Sequence, residues 1–500
     1  MPTDILLATL NARYIHSSLA LRYLYANLGE LQPKAQMVEF TIHQRAADTA
    51  ERLLAFGPRI IGFSVYVWNV EETAAVVRLL KRVEPGIVLV VGGPEVSFAG
   101  DLPPLAEAVD FVITGPGEKS FPRLCRDLLA GRPVLNRVIA GEPLPLDEIV
   151  LPYAYYGDED IRNRLVYVEA SRGCPFKCEF CLSALDKTAK PFPLDAFLEE
   201  MALLHERGAR HFKFIDRTFN LKVSSSIAIL EFFLERMSDD LYLHFELIPD
   251  QLPEKLRRVL LRFPAGSLQF EIGVQTFDAR IQAFISRRQD NEKSRDNLRW
   301  LRENTGAHIH ADLIFGLPGD SLENFADSFN QLVALAPQEI QLGILKRLRG
   351  APIDRHTGAF DMRYNPAAPY NVLATRDIDF ATMQRMTRFA RFWDLVANSG
   401  RFRETLPLLL GDDAFARFLC FSDGLYELAG RSWKISLSRL FGLSYRVLTE
   451  QLGCAVDDAR DCLGRDFEKA GLRGRPPFDG RGTDNGPRGH VANRRQRQHA

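Results

Sequence analysis

Cysteine is scarce in this sequence, and long apolar runs are missing from it. Seven cysteines in 500 residues are too few for the disulfide framework of a small secreted domain. No stretch of about 18 apolar residues occurs, so the sequence predicts no membrane-spanning helix. The opening MPTDILLATLNARYIH lacks the basic start and the long apolar core of a signal peptide. These absences together predict a cytoplasmic protein whose thiols stay reduced.

An excess of charge of one sign is also missing. Lys and Arg total 63 and Asp and Glu total 64, so no overall field attracts the chain to nucleic acid or to an anionic membrane. No GxGxxG follows the first predicted strand, which argues against a dinucleotide-binding domain. The length of 500 residues exceeds what one core holds, and typical domain sizes predict about three domains.

The first 140 residues alternate apolar runs with segments of helical periodicity. This alternation predicts an α/β domain with a doubly wound parallel sheet, in which ligands bind at the carboxyl ends of the strands. The predicted strands are Ile5 to Ala8, Gln36 to Phe40, Ile60 to Val65, Ile87 to Val91 and Phe111 to Thr114. At their carboxyl ends lie the candidate ligand-binding residues Ser64, Gly92, Gly93, Gly115, Gly117 and Glu118. These residues either let a ligand approach the backbone or simply turn the chain.

Three of the seven cysteines lie close together in the middle of the chain. The stretch SRGCPFKCEFCL, from Ser171 to Leu182, places Cys174, Cys178 and Cys181 in CxxxCxxC spacing. Thiolates are soft ligands that suit iron–sulfur clusters or zinc, and three of them leave one coordination position open. The alternative is a structural zinc site that takes a distant fourth ligand, such as His205 or His211.

The cysteine spacing, with the aromatic Phe180 before the last cysteine, resembles the radical S-adenosylmethionine (radical SAM) superfamily. The resemblance implies a [4Fe–4S] cluster whose free iron is chelated by the amino and carboxylate groups of S-adenosylmethionine. It further implies reductive cleavage of S-adenosylmethionine to a 5′-deoxyadenosyl radical, with a flavodoxin or ferredoxin as the electron donor. The cofactor and not the protein carries this chemistry.

Six β-like runs separated by helical segments surround the cysteine motif. They are Tyr167 to Ala170, His211 to Asp216, Tyr242 to Ile248, Leu268 to Gln275, His308 to Pro318 and Glu339 to Lys346. Six such repeats fit the partial (β/α) barrel of radical SAM enzymes over residues 161–355. In such barrels the chemistry lies at the carboxyl ends of the strands.

Several polar residues fall at these ends, and the resemblance implies a cofactor contact for each. Asp216 stands where the family's GGE motif contacts the methionyl amino group, although the sequence here is IDRTFN, and an Asp that caps the next turn is the alternative. Glu271 and Gln275 share one face of a strand and are expected to contact the ribose or methionyl group, with a buried salt bridge to an arginine as the alternative for Glu271. Asp312 and Gly316 belong to a segment that resembles the one approaching adenine, but a plain strand-to-helix loop would look similar.

The N-terminal domain resembles the cobalamin-binding domain found before the barrel in one large radical SAM class. The order GFSVYVWN, VVVGGPEVS and DFVITGPGEKSF carries this resemblance, which implies that the glycine-rich loops embrace the corrin. The DxHxxG signature that supplies a cobalt ligand in many cobalamin proteins is absent, so the lower ligand is undetermined. His16 follows the first strand, where a surface or helix-entry role is expected for it, with an approach to the cobalt as the alternative.

The remaining segments complete the predicted organisation. Residues 141–160 form a proline-interrupted linker laid across a surface, 356–470 a helical domain, and 471–500 a disordered tail rich in Gly, Pro and Arg. The leading hypothesis is a cobalamin-dependent radical SAM enzyme that methylates or rearranges an unactivated carbon of an unknown substrate. The alternatives are a radical SAM enzyme without cobalamin and a non-catalytic iron–sulfur or zinc sensor.

Overall fold

The structure is a computed structural model that describes residues 3–478. It divides the chain into two compact units, residues 1–384 and residues 385–500. Most of the predicted disordered tail follows Phe478 and lies outside the described residues. Within residues 3–478, no helix combines the length and the apolar character that crossing a membrane requires.

The N-terminal part of the first unit is a six-stranded parallel sheet with helices on both faces. The strand order is β2-β1-β3-β4-β5-β6, and every neighbouring pair is parallel. The strands are β1 (Ile5–Asn11), β2 (Ala35–Thr41), β3 (Ile60–Ser64), β4 (Val88–Gly92), β5 (Phe111–Thr114) and β6 (Val138–Ala140). The helices are α1 (Leu19–Ala26), α2 (Ala46–Leu54), α3 (Val70–Val83) and α4 (Ser120–Leu129). The predicted doubly wound sheet is confirmed.

Strand β1 shows why this sheet is covered on both sides. Its residues are all buried, because successive side chains point to opposite faces and each face carries its own core. Leu6 belongs to the core that includes α2 and α3, whereas Leu7 belongs to the core that includes Phe121 of α4. Strand β6 is absent from the sequence predictions, because this short edge strand exposes two of its three residues and shows no apolar pattern.

The segment between the sheet and the barrel packs against its surroundings. Tyr153 and Tyr156 are fully buried, and their hydroxyls donate to the carbonyls of Glu169 and Tyr167 at 3.1 and 2.7 Å. The short helix α5 (Asp158–Asn163) follows, and Arg22 of α1 forms a buried ion pair with its Asp160 at 2.7 Å. The linker therefore joins the two parts of the first unit without being a free hinge.

The central part of the first unit is a six-stranded, all-parallel partial barrel. Its strand order is β14-β13-β12-β11-β10-β7, with the edges left open. The strands are β7 (Val166–Val168), β10 (His211–Phe214), β11 (Tyr242–Leu247), β12 (Leu268–Gln275), β13 (His308–Phe315) and β14 (Glu339–Ile344). A small antiparallel ribbon of β8 (Ser171–Arg172) and β9 (Lys190–Pro191) flanks the cysteine loop. The helices are α6 (Leu194–Glu206), α7 (Val223–Leu234), α8 (Glu254–Leu260), α9 (Ala279–Phe284), α10 (Asn291–Asn304) and α11 (Leu322–Ala334).

Buried and partly buried side chains alternate strictly along strands β12 and β13. Along β12 the residues Phe270, Ile272 and Val274 are fully buried, whereas Glu271 and Gln275 are only partly buried. The buried set packs in the core between strands and helices, and the other set faces the inside of the barrel. The predicted six-repeat barrel is confirmed, and its inner wall is polar.

The rest of the described chain is mostly helical. A two-stranded ribbon of β15 (Arg363–Tyr364) and β16 (Val372–Ala374) precedes the helices α12 (Phe380–Trp393), α13 (Thr405–Leu410), α14 (Ala414–Ala429), α15 (Leu437–Glu450) and α16 (Val456–Lys469). The ring of Phe418 packs edge-on against Phe389 and Trp393, at centroid distances of 5.0 and 4.8 Å. The prediction that Phe389, Phe392 and Trp393 are core residues is confirmed, since all three are buried.

Candidate active site

The cysteine loop begins at the carboxyl end of the first barrel strand. Gly173 opens the loop with a φ of +88°, and a Cβ atom there would lie 2.2 Å from the carbonyl oxygen of Thr188. Only glycine fits this turn without strain. The backbone N–H of Cys174 donates to the carbonyl of Asp186 at 2.9 Å, and that of Cys181 donates to the carbonyl of Cys178 at 3.1 Å. The loop is therefore shaped by its own backbone hydrogen bonds.

All three cysteines of the loop line one cavity of about 370 Å³, the cysteine cavity. Cys178 is the most buried of them, and Nη1 of Arg287 lies 3.6 Å from its sulfur. Burial raises the pKa of the Cys174 and Cys178 thiols, although the charge of Arg287 opposes this for Cys178. The remaining wall of the cavity includes Phe180, Arg217, Glu246, Glu271, Gln275, Asp312 and Gln341.

The donor set of the loop fits a cluster that takes three thiolates. Within residues 3–478, no three His, Cys, Asp and Glu side chains are arranged to hold a metal ion, the three cysteines of the loop included. The two histidines considered as a fourth zinc ligand do not line the cysteine cavity. His211 begins β10, at the opposite end from the cysteine loop, and its ring packs against Tyr242 at 5.8 Å. The three soft donors thus line one open cavity, and neither of these two histidines lines it.

Glu271 is an acid of the cavity wall that contacts two basic side chains. Its Oε1 lies 2.9 Å from Nζ of Lys213 and 3.0 Å from Nε2 of His244, which come from the two preceding inner strands. Burial would raise the pKa of Glu271, but the hydrogen bonds and charges of His244 and Lys213 outweigh it and lower the pKa to about 2. Glu271 therefore has basic partners, as the salt-bridge alternative expects, but they are a lysine and a histidine instead of an arginine.

Two further acid–base pairs stand beside Glu271 on the inner wall. Asp312 lies 3.3 Å from Nε2 of His310, and burial raises the pKa of this carboxyl despite the histidine. Glu246 pairs with Nη1 of Arg217 at 2.8 Å, and burial raises its pKa as well. The wall thus presents two further carboxylates, each with a basic side chain beside it.

Asp216 does not face the cysteine cavity. Its carboxylate accepts hydrogen bonds from the backbone N–H of Ala170 at 3.0 Å and from Oγ of Ser171 at 2.6 Å. It lines a separate small cavity of about 40 Å³ behind the cysteine loop, and burial raises its pKa to about 7. The structure therefore gives Asp216 a role in fixing the start of the loop, and its contact with a methionyl amino group stays a prediction.

Gly316 also lies outside the cysteine cavity. It has a φ of +86°, and a Cβ atom there would lie 2.8 Å from Cγ1 of Val372. Its N–H donates to Asp320 at 3.1 Å. Close packing against the ribbon that follows the barrel explains this glycine, whereas Gln275 and Asp312 do line the cavity as expected.

The six candidate residues of the N-terminal sheet lie at its carboxyl edge, but they have different surroundings. The carbonyl of Ser64 accepts hydrogen bonds from Thr9 and Asn69. Gly93 lets two loops meet, since a Cβ there would lie 2.6 Å from the carbonyl oxygen of Val65, and Glu118 pairs with Arg172 at 2.6 Å. Open space surrounds Gly115, and the nearest atoms to a Cβ on Gly92 and Gly117 are 3.6 and 2.9 Å away.

The same edge exposes large apolar side chains. Tyr14, Trp68 and Phe98 follow β1, β3 and β4, and they are 53%, 47% and 45% exposed. The ring of Trp68 stacks on that of Tyr66, with centroids 4.3 Å apart and planes inclined by 10°. These aromatic side chains lie at the edge of the sheet where ligands of parallel α/β sheets bind.

His16 is less exposed than the sequence suggests. Its Nδ1 lies 2.7 Å from the hydroxyl of Tyr167 on β7, and its backbone pairs with Leu165. Burial lowers the pKa of its imidazole, and the charge of Lys213 adds to this effect. This histidine ties the N-terminal sheet to the barrel.

Three family profiles match successive parts of the chain. The radical SAM superfamily matches residues 168–332, which contain the cysteine loop and most of the barrel. The chain belongs to the radical SAM superfamily. The B12 binding domain matches residues 5–125, and a protein family of unknown function (DUF4080) matches residues 358–468. This radical SAM protein therefore has a [4Fe–4S] cluster, S-adenosylmethionine and cobalamin as its cofactors, as the resemblance implies.

Curated relatives of this radical SAM protein include methyltransferases. An uncharacterized methyltransferase of Pyrococcus horikoshii is 26% identical over 55% of this chain and 64% of its own length. The 2-(S-pantetheinyl)-carbapenam-3-carboxylate methyltransferase of Streptantibioticus cattleyicolor is 26% identical over 59% of this chain and 48% of its own length. The matched region thus spans about half to two thirds of these relatives.

A solved structure resembles the fold of this radical SAM protein over most of its length. The cobalamin-dependent S-adenosylmethionine radical enzyme OxsB, with aqua-cobalamin and S-adenosylmethionine bound, covers 93% of this chain, and the match takes in 84% of that chain. The sequences are 14% identical and the TM-score is 0.62. This likeness shows that the two chains share a fold.

The sequence interpretation of this radical SAM protein misses several residues that line the cysteine cavity or contact its wall. Lys213, His244 and Glu246 interrupt apolar strands at alternate positions, which is the signal that identifies Glu271, and the same test applied to β10 and β11 finds them. Gln341 follows the same rule on β14. Arg287 lies in a loop after α9, where no periodicity points to it.

Proposed function

We propose that this chain is a cobalamin-dependent radical SAM methyltransferase that methylates an unactivated carbon of a small substrate. The observation that carries the proposal is that the three thiols of the CxxxCxxC loop and the inner-wall acids of the barrel share one cavity. The volume of about 370 Å³ is within the range of small-molecule sites, which is about 300–1,000 Å³. The names of the curated methyltransferase relatives support methyl transfer as the outcome.

The residues of the chain hold and orient what they bind. Cys174, Cys178 and Cys181 offer three thiolates, and metal binding releases their protons. Glu271 stays ionised at neutral pH and is fixed by two basic partners, so it presents an oriented acceptor to hydroxyl groups inside the barrel. When bound, the cluster with S-adenosylmethionine supplies one-electron chemistry, and cobalamin supplies a transferable methyl group.

The electron donor and the cellular compartment are also part of the proposed function. A flavodoxin or ferredoxin supplies the electron, and the protein acts in the cytoplasm, where its thiols stay reduced. The net formal charge of −1 gives no general attraction to nucleic acid, so a small-molecule substrate is favoured.

The experiment uses anaerobically reconstituted full-length protein with hydroxocobalamin, dithionite and S-adenosylmethionine carrying a deuterated methyl group. A methyltransferase yields both 5′-deoxyadenosine and S-adenosylhomocysteine, and in a metabolite extract mass spectrometry finds a product heavier by the labelled methyl group. The variant Cys178→Ala is the matched control and is expected to lose iron and 5′-deoxyadenosine together. Product formation without the label would indicate a rearrangement instead.

Other results would replace the proposal. Protein that forms 5′-deoxyadenosine but never retains cobalt is a radical SAM enzyme without cobalamin. Protein that binds iron or zinc but forms no 5′-deoxyadenosine is a sensor. Cleavage of S-adenosylmethionine that survives in Cys178→Ala would contradict the assignment of the cysteines.

A further inference from the structure

A short segment after the last barrel strand contacts loops of both cofactor-binding regions. This post-barrel segment, residues 345–356, follows β14 and ends in a 3₁₀ turn, Pro352–His356. One end of it contacts Glu95, in the loop that follows Gly92 and Gly93 of the N-terminal sheet. The other end contacts Glu179, which stands between Cys178 and Phe180 in the cysteine loop. Each contact is made to a buried carboxylate.

The contact at Glu95 is a closed network of charges. Nε of Arg349 lies 3.1 Å from Glu95, and Nη1 of the same guanidinium donates to Asp101. The hydroxyl of Tyr370 donates to Glu95 at 2.5 Å and accepts from Nη2 of Arg349 at 3.1 Å. Glu95 and Arg349 are 3% and 8% exposed, so neither charge has water to replace its partner.

The contact at Glu179 uses both its backbone and its side chain. The carboxylate accepts from Nε of Arg355 at 2.7 Å, lies 2.8 Å from Nε2 of His356, and accepts from Oγ of Ser286. The carbonyl of Glu179 accepts from the N–H of Ile353 at 2.9 Å. One residue of the cysteine loop is therefore tied at several points to the post-barrel segment.

We propose that the post-barrel segment is a positioning element that couples the cysteine loop to the loop after β4, with Glu95 and Glu179 as positioning residues. Six residues separate Arg349 from His356, and the last four of them belong to the 3₁₀ turn, so a shift at one end is transmitted to the other. The segment thereby fixes the placement of the cluster relative to the cobalamin loops. This coupling rests on the cluster and cobalamin of the proposed function, but it would exist equally in an enzyme that transfers no methyl group.

Hydrogen–deuterium exchange on the metal-free full-length protein tests the coupling without a substrate. Arg349→Met is expected to speed exchange in the peptide covering residues 176–183 by about tenfold, and Glu179→Gln to do the same for residues 92–101, because each removes a charge-assisted contact. Tyr370→Phe removes one hydroxyl and is expected to act in the same direction, more weakly. Arg363→Met, which breaks a surface pair with Asp361, is the matched control and should change neither peptide.

Two results would overturn the coupling. In the first, each variant speeds exchange only at its own end of the segment. In the second, exchange rises equally in the β1 and β12 peptides, which would mean that these contacts hold the whole fold.

The reconstituted protein gives an independent readout. Arg349→Met is expected to alter the electron paramagnetic resonance spectrum of the reduced cluster and to speed iron loss to a chelator, and Glu179→Gln to speed cobalamin release. An unchanged cluster spectrum in Arg349→Met would contradict the proposal. Failure of the coupling would leave 5′-deoxyadenosine formation by the unmodified chain intact, so the two proposals fail separately.

Discussion

Replacing Glu271 by Gln is expected to destabilise the barrel in a way that depends on pH. Lys213 and His244 hold the folded pKa of Glu271 at about 2, against an ordinary value of 4.5, and its side chain is 24% exposed. One pKa unit corresponds to about 1.4 kcal/mol, so the ionised carboxylate stabilises the fold by about 3 kcal/mol at pH 7. Because the folded pKa is the lower one, this stabilisation is complete above pH 4.5 and is lost as the pH falls towards 2.

The measurement is the free energy of unfolding of the barrel, from pulse-labelling hydrogen exchange of the β12 peptide along a urea series. Glu271→Gln is expected to lower it by about 3 kcal/mol at pH 7 and by about 1 kcal/mol at pH 3. Adding Lys213→Met to this variant should restore part of the lost stability, because it removes the lysine charge that Glu271→Gln leaves without a partner. The control Glu254→Gln breaks an exposed pair with Arg258 and should change stability by less than about 0.5 kcal/mol. An equal loss at both pH values would refute the electrostatic reasoning.

Three further changes test other parts of the molecule. Gly173→Ala places a Cβ against the carbonyl of Thr188 and should lower the iron bound per chain after reconstitution, whereas Gly208→Ala, with a positive φ but open space, should not. Burial raises the pKa of Asp216 to about 7, so its ionisation opposes folding and should lower the melting temperature as the pH rises from 4 to 7. Asp216→Asn should make this decrease smaller. Asp466→Ala removes the acceptor of Thr405 N–H and Oγ1 at the start of α13 and should destabilise the second unit by about 2 kcal/mol, measured by hydrogen exchange of the α13 peptide.

The sequence predicts the fold well because burial requires apolar residues at regular intervals along each strand and helix. The runs around Ile5, Ile60 and Leu268 all become strands of the predicted parallel sheets, since residues buried on one or both faces must be apolar at fixed intervals. Strand β6 shows no such pattern, because Val138 and Ala140 are exposed at an edge. Apolar patterns in the sequence do not reveal strands or helices that bury few side chains.

The candidate site is predicted in part, for a related reason. The positions of Glu271, Gln275 and Asp312 follow from strand alternation, and the cavity contains all three. Asp216 lies two residues beyond the end of β10 at Phe214, although the sequence predicts that the strand extends to it. Its carboxylate turns to the backbone of Ala170, and no local pattern indicates the direction of a side chain just after a strand. Arg287 reaches Cys178 from 109 residues away, a contact that only the folded chain defines.

The strict alternation along β12 and β13 has a consequence for how the protein can change. The helix-facing residues Phe270 and Ile272 carry the packing, while the positions between them face the interior. The inward-facing positions other than Glu271, which stabilises the barrel through its two basic partners, can therefore be randomised while the hydrophobic layer is left intact. A library limited to Gln275, Asp312 and Gln341 would sample new interior chemistries on an unaltered framework, and its members should remain soluble far more often than variants of the intervening codons.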